Sequence, residues 1–125
     1  MTIKRILVVD DSPTERHVLC EVLMKSGYQV ITASSGEEAI TKCRAEMPDL
    51  VLMDVVMPGT NGFQATRALS KDDATKDIPI IICTSKSLKT DQIWGLRQGA
   101  VDYLTKPLDH KQLLDRISSL ATSKN

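Results

Sequence analysis

The chain has no apolar stretch near the ~20 residues that span a bilayer, so membrane insertion is not expected. It has no excess of either charge: 16 Lys and Arg balance 16 Asp and Glu. That argues against a nucleic-acid binder driven by phosphate contacts. It has no C-x-x-C pair. Cys20, Cys43 and Cys83 are odd in number and far apart, so zinc and redox chemistry have little support. Cys20 and Cys43 fall in apolar helical patterns and Cys83 ends an apolar run, which reads as three reduced core thiols. There is no internal repeat, low-complexity tract or linker. After Met1-Thr2-Ile3-Lys4-Arg5 come only four apolar residues and then two aspartates, so this is no signal peptide. Cytoplasmic residence is the default expectation.

What is present is ordinary globular material, 42% hydrophobic and 26% charged. The 125 residues fit one domain, 1–125, with no room for a second. A domain of about 150 residues buries roughly 70% of its unfolded surface, so a core needs no staples. Short apolar runs recur: Ile6-Leu7-Val8-Val9, Leu50-Val51-Leu52-Met53, Ile80-Ile81-Ile82-Cys83 and Tyr103-Leu104-Thr105. Runs of that length, rich in β-branched residues, read as strands buried on both faces.

Helical signals alternate with them. Ser12-Pro13-Thr14-Glu15 predicts a helix start, with Ser12 as cap and Glu15 closing a capping box. Val18, Leu19, Val22 and Leu23 share one face, and Gly27 stops the helix. Residues 28–33 form the second strand. Ser35-Gly36-Glu37-Glu38 repeats the capping pattern, with Ala39, Ile40 and Cys43 as the buried stripe and Pro48 as the stop. Met57-Pro58-Gly59-Thr60-Asn61-Gly62 is a loop by composition. Further helices are predicted over 63–70 and 91–98, and after Asp109. The last shows Leu113, Leu114, Ile117 and Leu120 as its apolar face. Residues 71–77 read as a surface connection, and 122–125 should fray.

Five β-α units imply an α/β fold: a parallel sheet with helices on both faces. The second and fifth strands are the least apolar and should be the edges, matching the order 2-1-3-4-5. In an open parallel sheet ligands bind at the strand C-termini. Asp10, Asp11, Asp54, Thr84 and Lys106 each stand at, or one beyond, such an end. Asp10 and Asp11 repel each other, and a cation would offset that repulsion. Magnesium takes one or two carboxylates plus phosphate oxygens, so Asp11 and Asp54 could ligate it directly and Asp10 through water. Lys106 suits a phosphate or carboxylate counter-ion, and Thr84 a hydroxyl donor.

Val8-Val9-Asp10-Asp11-Ser12, Met53-Asp54-Val55-Val56-Met57-Pro58, Thr84-Ser85 and Lys106-Pro107 stand in an order and spacing that resembles the receiver domain of bacterial response regulators. The likeness is strongest to stand-alone chemotaxis-type receivers. It implies that Asp54 accepts a phosphoryl group from a histidine kinase. It implies Mg2+ on Asp10, Asp11, Asp54 and the backbone carbonyl of Val56, with Thr84 and Lys106 on the phosphoryl oxygens. It implies that Tyr103 swings inward with Thr84, that the surface of the fourth helix, fifth strand and fifth helix changes, and that a downstream partner reads it. Val56 and Lys86 would tune dephosphorylation, the Lys106-Pro107 bond would be cis, and the chain would be a monomer or weak dimer. A narrower likeness at Trp94-Gly95-Leu96-Arg97-Gln98-Gly99-Ala100 is to receivers of type IV pilus twitching motility. Gly95 is costly in a helix, by about 1 kcal/mol relative to Ala, which points to a packing reason. Packing is favoured over an exposed partner anchor for Trp94.

Two rivals share the architecture. A Mg2+-dependent aspartyl phosphatase would carry a second aspartate two residues after the nucleophile, where this chain has Val56. A flavodoxin-like cofactor binder would need a hydroxyl- and glycine-rich phosphate loop after the first strand, where Asp10 and Asp11 would repel the ligand. The chain therefore reads as a regulator and not an enzyme, either driving an output or acting as a phosphate sink.

Overall fold

Five parallel strands form one sheet in the computed structural model, which describes residues 2–122. They are β1 (Arg5–Val9), β2 (Gln29–Ala33), β3 (Leu50–Met53), β4 (Ile80–Thr84) and β5 (Asp102–Thr105). The order is β2-β1-β3-β4-β5, so the two least apolar strands are the edges, as expected. Between and after them run α1 (Pro13–Lys25), α2 (Gly36–Glu46), α3 (Gly62–Lys71), α4 (Lys89–Arg97) and α5 (His110–Thr122). Of the segment expected to fray, 122–125, Thr122 closes α5 and the rest lies outside the described residues.

Strand side chains alternate between two cores, as a period of two requires. Ile6, Val8, Leu50, Leu52, Ile81 and Cys83 meet Leu19, Leu23, Leu113 and Ile117 of α1 and α5. Leu7, Val9, Val51, Met53 and Ile80 meet Ala39, Cys43, Ala65 and Leu69 of α2 and α3. A smaller cluster of Val55, Phe63, Ile82 and Ala100, with Tyr103 against it, lies toward α4. Each fully buried Leu or Ile contributes about 1.5–3 kcal/mol of transfer free energy, which supplies most of the driving force. The cysteines follow suit: Cys43 and Cys83 are buried, and burial pushes both thiols up to about 12. Cys20 is only half-buried.

Several local expectations change. Ser12 does cap α1, its Oγ accepting from the Glu15 N–H at 3.3 Å. Glu15 does not close the box, because the Ser12 N–H already donates to Asp10 Oδ1 at 2.9 Å. Ser35 caps α2, but Glu38 accepts from the N–H of Ser34, one residue earlier. The reciprocal capping box sits instead on α3, between Asn61 and Gln64 at 2.9 Å each way. Val18 faces solvent while Leu19 and Leu23 are buried. In 71–77, Thr75 is buried and donates to the Leu69 carbonyl at 2.7 Å, so that connection is tied into the core.

Trp94 is the largest departure. It is 50% exposed, beside exposed Ile93 and Leu96. The packing reason belongs to its neighbour. A Cβ on Gly95 would lie 2.9 Å from Ile82 Cδ1 and from Tyr103 Cδ2. Glycine lets α4 approach the sheet there without displacing these side chains, and the adjacent Trp94 turns outward.

Candidate functional site

Parallel register brings the strand ends level. Val9 pairs with Met53, Met53 with Ile82, and Thr84 with Thr105. The next residues after β1, β3 and β5 are Asp10, Asp54 and Lys106, so the sheet alone delivers them to one edge. Asp10, Asp11 and Asp54 each offer a carboxylate oxygen within 4.8 Å of the others. Asp10 and Asp54 are buried and Asp11 is exposed.

The buried carboxylates are fixed by backbone. Asp54 Oδ1 accepts from the Val55 N–H at 2.7 Å, and Asp10 Oδ1 from the Ser12 N–H. Their other oxygens face Lys106 Nζ, at 2.9 Å for Asp10 and 3.4 Å for Asp54. Arg16 Nη1 donates to the Asp10 backbone carbonyl at 2.6 Å, tying α1 to the end of β1. Burial raises the Asp54 carboxyl above its usual range; Lys106 opposes that and Asp10 adds to it. Burial alone would lower the Lys106 ammonium. Bonds to Glu15 and Asp10, with the charges of Asp54 and Asp10, outweigh it and hold the pKa above the ordinary value.

In sequence Glu15 signals only a capping box with Ser12. Its Oε1 lies 2.6 Å from Lys106 Nζ, the shortest of the ammonium's three carboxylate contacts. No spacing rule links a first-turn glutamate to a lysine at the far end of the chain, so the contact had no sequence signal.

Thr84 is buried, and its Oγ1 accepts from the Lys86 N–H at 3.3 Å. Tyr103 donates its hydroxyl to the Lys86 carbonyl at 2.8 Å. Burial pushes the Tyr103 phenol up to about 12, with Asp91 and Asp54 adding to the rise. The segment after β4 thus joins Thr84 to Tyr103 through one residue. The Val56 and Lys86 side chains, both exposed, line one groove with Val55, Met57, Asn61 and Phe63. The Lys106-Pro107 peptide is cis.

The loop beneath Asp54 is tightly held. Glu37 Oε2 accepts from the Thr60 hydroxyl at 2.9 Å and the Thr60 N–H at 3.2 Å, pinning it to α2. A Cβ on Gly62 would stand 2.0 Å from the Asp54 carbonyl oxygen. Glycine is what lets α3 start directly under the site.

The hard oxygens of three clustered carboxylates fit a divalent cation of the magnesium type. A fixed ammonium beside them fits an anion bridging cation and lysine. No helix among the described residues is long and apolar enough to cross a membrane.

Protein PilH of Pseudomonas aeruginosa PAO1 is 56% identical over 116 residues, covering 93% of this chain and 96% of PilH. The phosphate regulon transcriptional regulatory protein PhoB of Escherichia coli K12 is 37% identical over 94% of this chain, which spans about half, 51%, of PhoB. A chain of the solved CheX-CheY-BeF3-Mg2+ complex from Borrelia burgdorferi superposes with a TM-score of 0.90 at 27% identity, covering 98% of this chain and 92% of that one. The family described as the response regulator receiver domain matches residues 6–118. With its five-stranded parallel sheet and acidic strand-end cluster, the chain belongs to the response regulator receiver domain family.

Proposed function

We infer that this receiver is a phosphorylatable switch that accepts a phosphoryl group on Asp54 from a histidine kinase. One observation carries the reading: a buried Asp54, 7% exposed, opposite Lys106 and within reach of two further carboxylates. Desolvation leaves its carboxylate basic and nucleophilic, while Lys106 stays charged to receive the incoming oxygens. An Asp54 oxygen attacks phosphorus in line, the phosphorus–nitrogen bond of the phosphohistidine breaks, and the leaving imidazole takes a proton. Asp11 and Asp54 would hold Mg2+ directly, with the Val56 carbonyl, and Asp10 through water. Bound there, the cation supplies charge neutralisation for the transferring oxygens. The solved complex of the Borrelia relative contains beryllofluoride and magnesium, which supports binding of a divalent cation and a phosphoryl mimic by this chain as well.

The acyl phosphate draws Thr84 toward it. Thr84 and Tyr103 both bond to Lys86, so that motion reaches the ring that packs on Gly95. The face of α4, β5 and α5 changes, and a downstream protein reads it. The protein assists only its own phosphorylation and dephosphorylation. Likeness to PilH along nearly the full length of both chains, with the Trp94–Ala100 pattern, supports a role in pilus-driven or chemotactic motility.

Acetyl phosphate with Mg2+ should add one acid-stable, base-labile phosphoryl group, and Asp54→Asn should abolish it. Labelling of that variant at the wild-type rate would overturn the assignment.

A further inference from the structure

We propose that Glu15 is a positioning residue that holds the Lys106 ammonium away from Asp54 until a phosphoryl group displaces it. This rests on the reading of Asp54 as phosphoacceptor.

An ammonium has three donors. Here they meet Glu15 at 2.6 Å, Asp10 at 2.9 Å and Asp54 at 3.4 Å. The acceptor carboxylate has the weakest share of the cation it needs. Two of the three partners are held in place: Asp10 and Asp54 are buried, and each accepts a backbone N–H with its other oxygen. Glu15 is different. Its side chain is 49% exposed and sits on the first turn of α1, so it can rotate into solvent.

The local sequence shows why Glu15 is available. At its position it would normally reach back to the N–H of the capping Ser12. Asp10 occupies that N–H, so the Glu15 carboxylate is released to the lysine.

Stability does not account for the contact. Lys106 is 16% exposed and already holds Asp10 and Asp54, while Glu15 is 49% exposed and solvent-screened, so their pair adds only about 1 kcal/mol to folding. Its effect falls on where the lysine charge sits. A phosphoryl group on Asp54 brings oxygens of higher charge to the same ammonium and outcompetes an exposed carboxylate. Removing the Glu15 charge therefore frees Lys106 in advance. The freed ammonium should lean on Asp10 and Asp54, opposing Mg2+ alone but favouring the ternary state with a phosphoryl mimic.

The test compares wild type, Glu15→Gln and Glu21→Gln. Glu21 lies on the same helix and among the described residues pairs only with His17, so its variant removes one charge at a distance from Lys106. Beryllofluoride is titrated at saturating Mg2+, and Mg2+ is titrated alone. Glu15→Gln should bind beryllofluoride three- to tenfold more tightly and Mg2+ two- to threefold more weakly, with an unchanged melting temperature. Glu21→Gln should stay within twofold of wild type in both. Unchanged or weaker beryllofluoride binding by Glu15→Gln would overturn the proposal, as would an equal effect in Glu21→Gln, which would mark net charge as the cause. Absence of Mg2+-dependent binding by the wild type would remove the phosphoacceptor reading itself, and this inference with it.

Discussion

Helices α3 and α4 cover the same side of one sheet, yet they are attached in different ways. Helix α3 starts from a reciprocal capping box and buries Gly62, Phe63, Ala65, Thr66 and Leu69. Its leading loop is clamped to α2 through Glu37 and Thr60. Helix α4 starts after Leu88, which offers no side-chain cap, and buries only Gly95. It leaves Leu88, Ile93, Trp94 and Leu96 exposed. A missing cap alone forfeits about 1 kcal/mol. The α3 side is therefore tied firmly beside the aspartate, while α4 has fewer attachments to the sheet. Segments that respond to a signal come from the weakly held end of a fold.

Gly62→Ala attacks the anchored side where it is tightest. The new Cβ would meet the Asp54 carbonyl at 2.0 Å and Val55 Cα at 2.7 Å. Both are backbone, so neither yields by a rotamer change. The expected loss is about 3 kcal/mol in urea unfolding, from overpacking. A loss under about 1 kcal/mol would show that the α3 loop gives way easily and would remove the contrast between the helices.

Val56→Asn tests the groove where the two regions meet. Val56 is 57% exposed and lines that groove with Lys86. Its side chain has no polar atom to place a water near Asp54, whereas Asn could hydrogen-bond one. Phosphoryl loss should speed up roughly tenfold, or about 1.4 kcal/mol of barrier. Decay is followed after kinase and donor are removed. An unchanged or longer half-life would place control of the water on the Lys86 side.

The anchored side also carries a destabilising charge. Burial raises the Asp54 pKa above its unfolded value, so the folded state binds that proton more tightly. The ionised carboxylate therefore lowers stability at neutral pH, and the penalty fades as pH falls through the raised pKa to the ordinary carboxylate range. With metal chelated, Asp54→Asn should stabilise by about 1 kcal/mol at neutral pH, about 4 °C in melting temperature. The gain should vanish in acid. A variant less stable than wild type at neutral pH would mean that Lys106 and the Val55 N–H outweigh burial.

The sheet, its order and the gathering of Asp10, Asp11, Asp54 and Lys106 were legible because apolar runs mark buried strands and register then levels their ends. What stayed hidden depends on side-chain competition. Glu15 looked like a cap partner until Asp10 took the Ser12 N–H. The Trp94 pattern fits a core residue, but Gly95 takes the buried position of α4 that faces the sheet. Adjacent helical residues point about 100° apart, so Trp94 and Gly95 cannot both face the sheet. Helix periodicity alone does not say which.

Gly95→Ala gives the smallest expected change and sharpens the comparison most. Ala in place of Gly gains about 1 kcal/mol of helix propensity. Against this, the new Cβ would approach Ile82 Cδ1 and Tyr103 Cδ2 at 2.9 Å. These are parts of side chains that can rotate, unlike the backbone around Gly62. The two effects should nearly cancel, leaving stability within about 1 kcal/mol of wild type. The ring of Tyr103 should nonetheless shift, weakening its bond to the Lys86 carbonyl. Aromatic proton spectra of Tyr103 would then move in the unphosphorylated protein toward their positions with beryllofluoride. A stability loss as large as that of Gly62→Ala would show α4 to be as firmly seated as α3. An unmoved Tyr103 signal would show that the ring does not depend on the glycine.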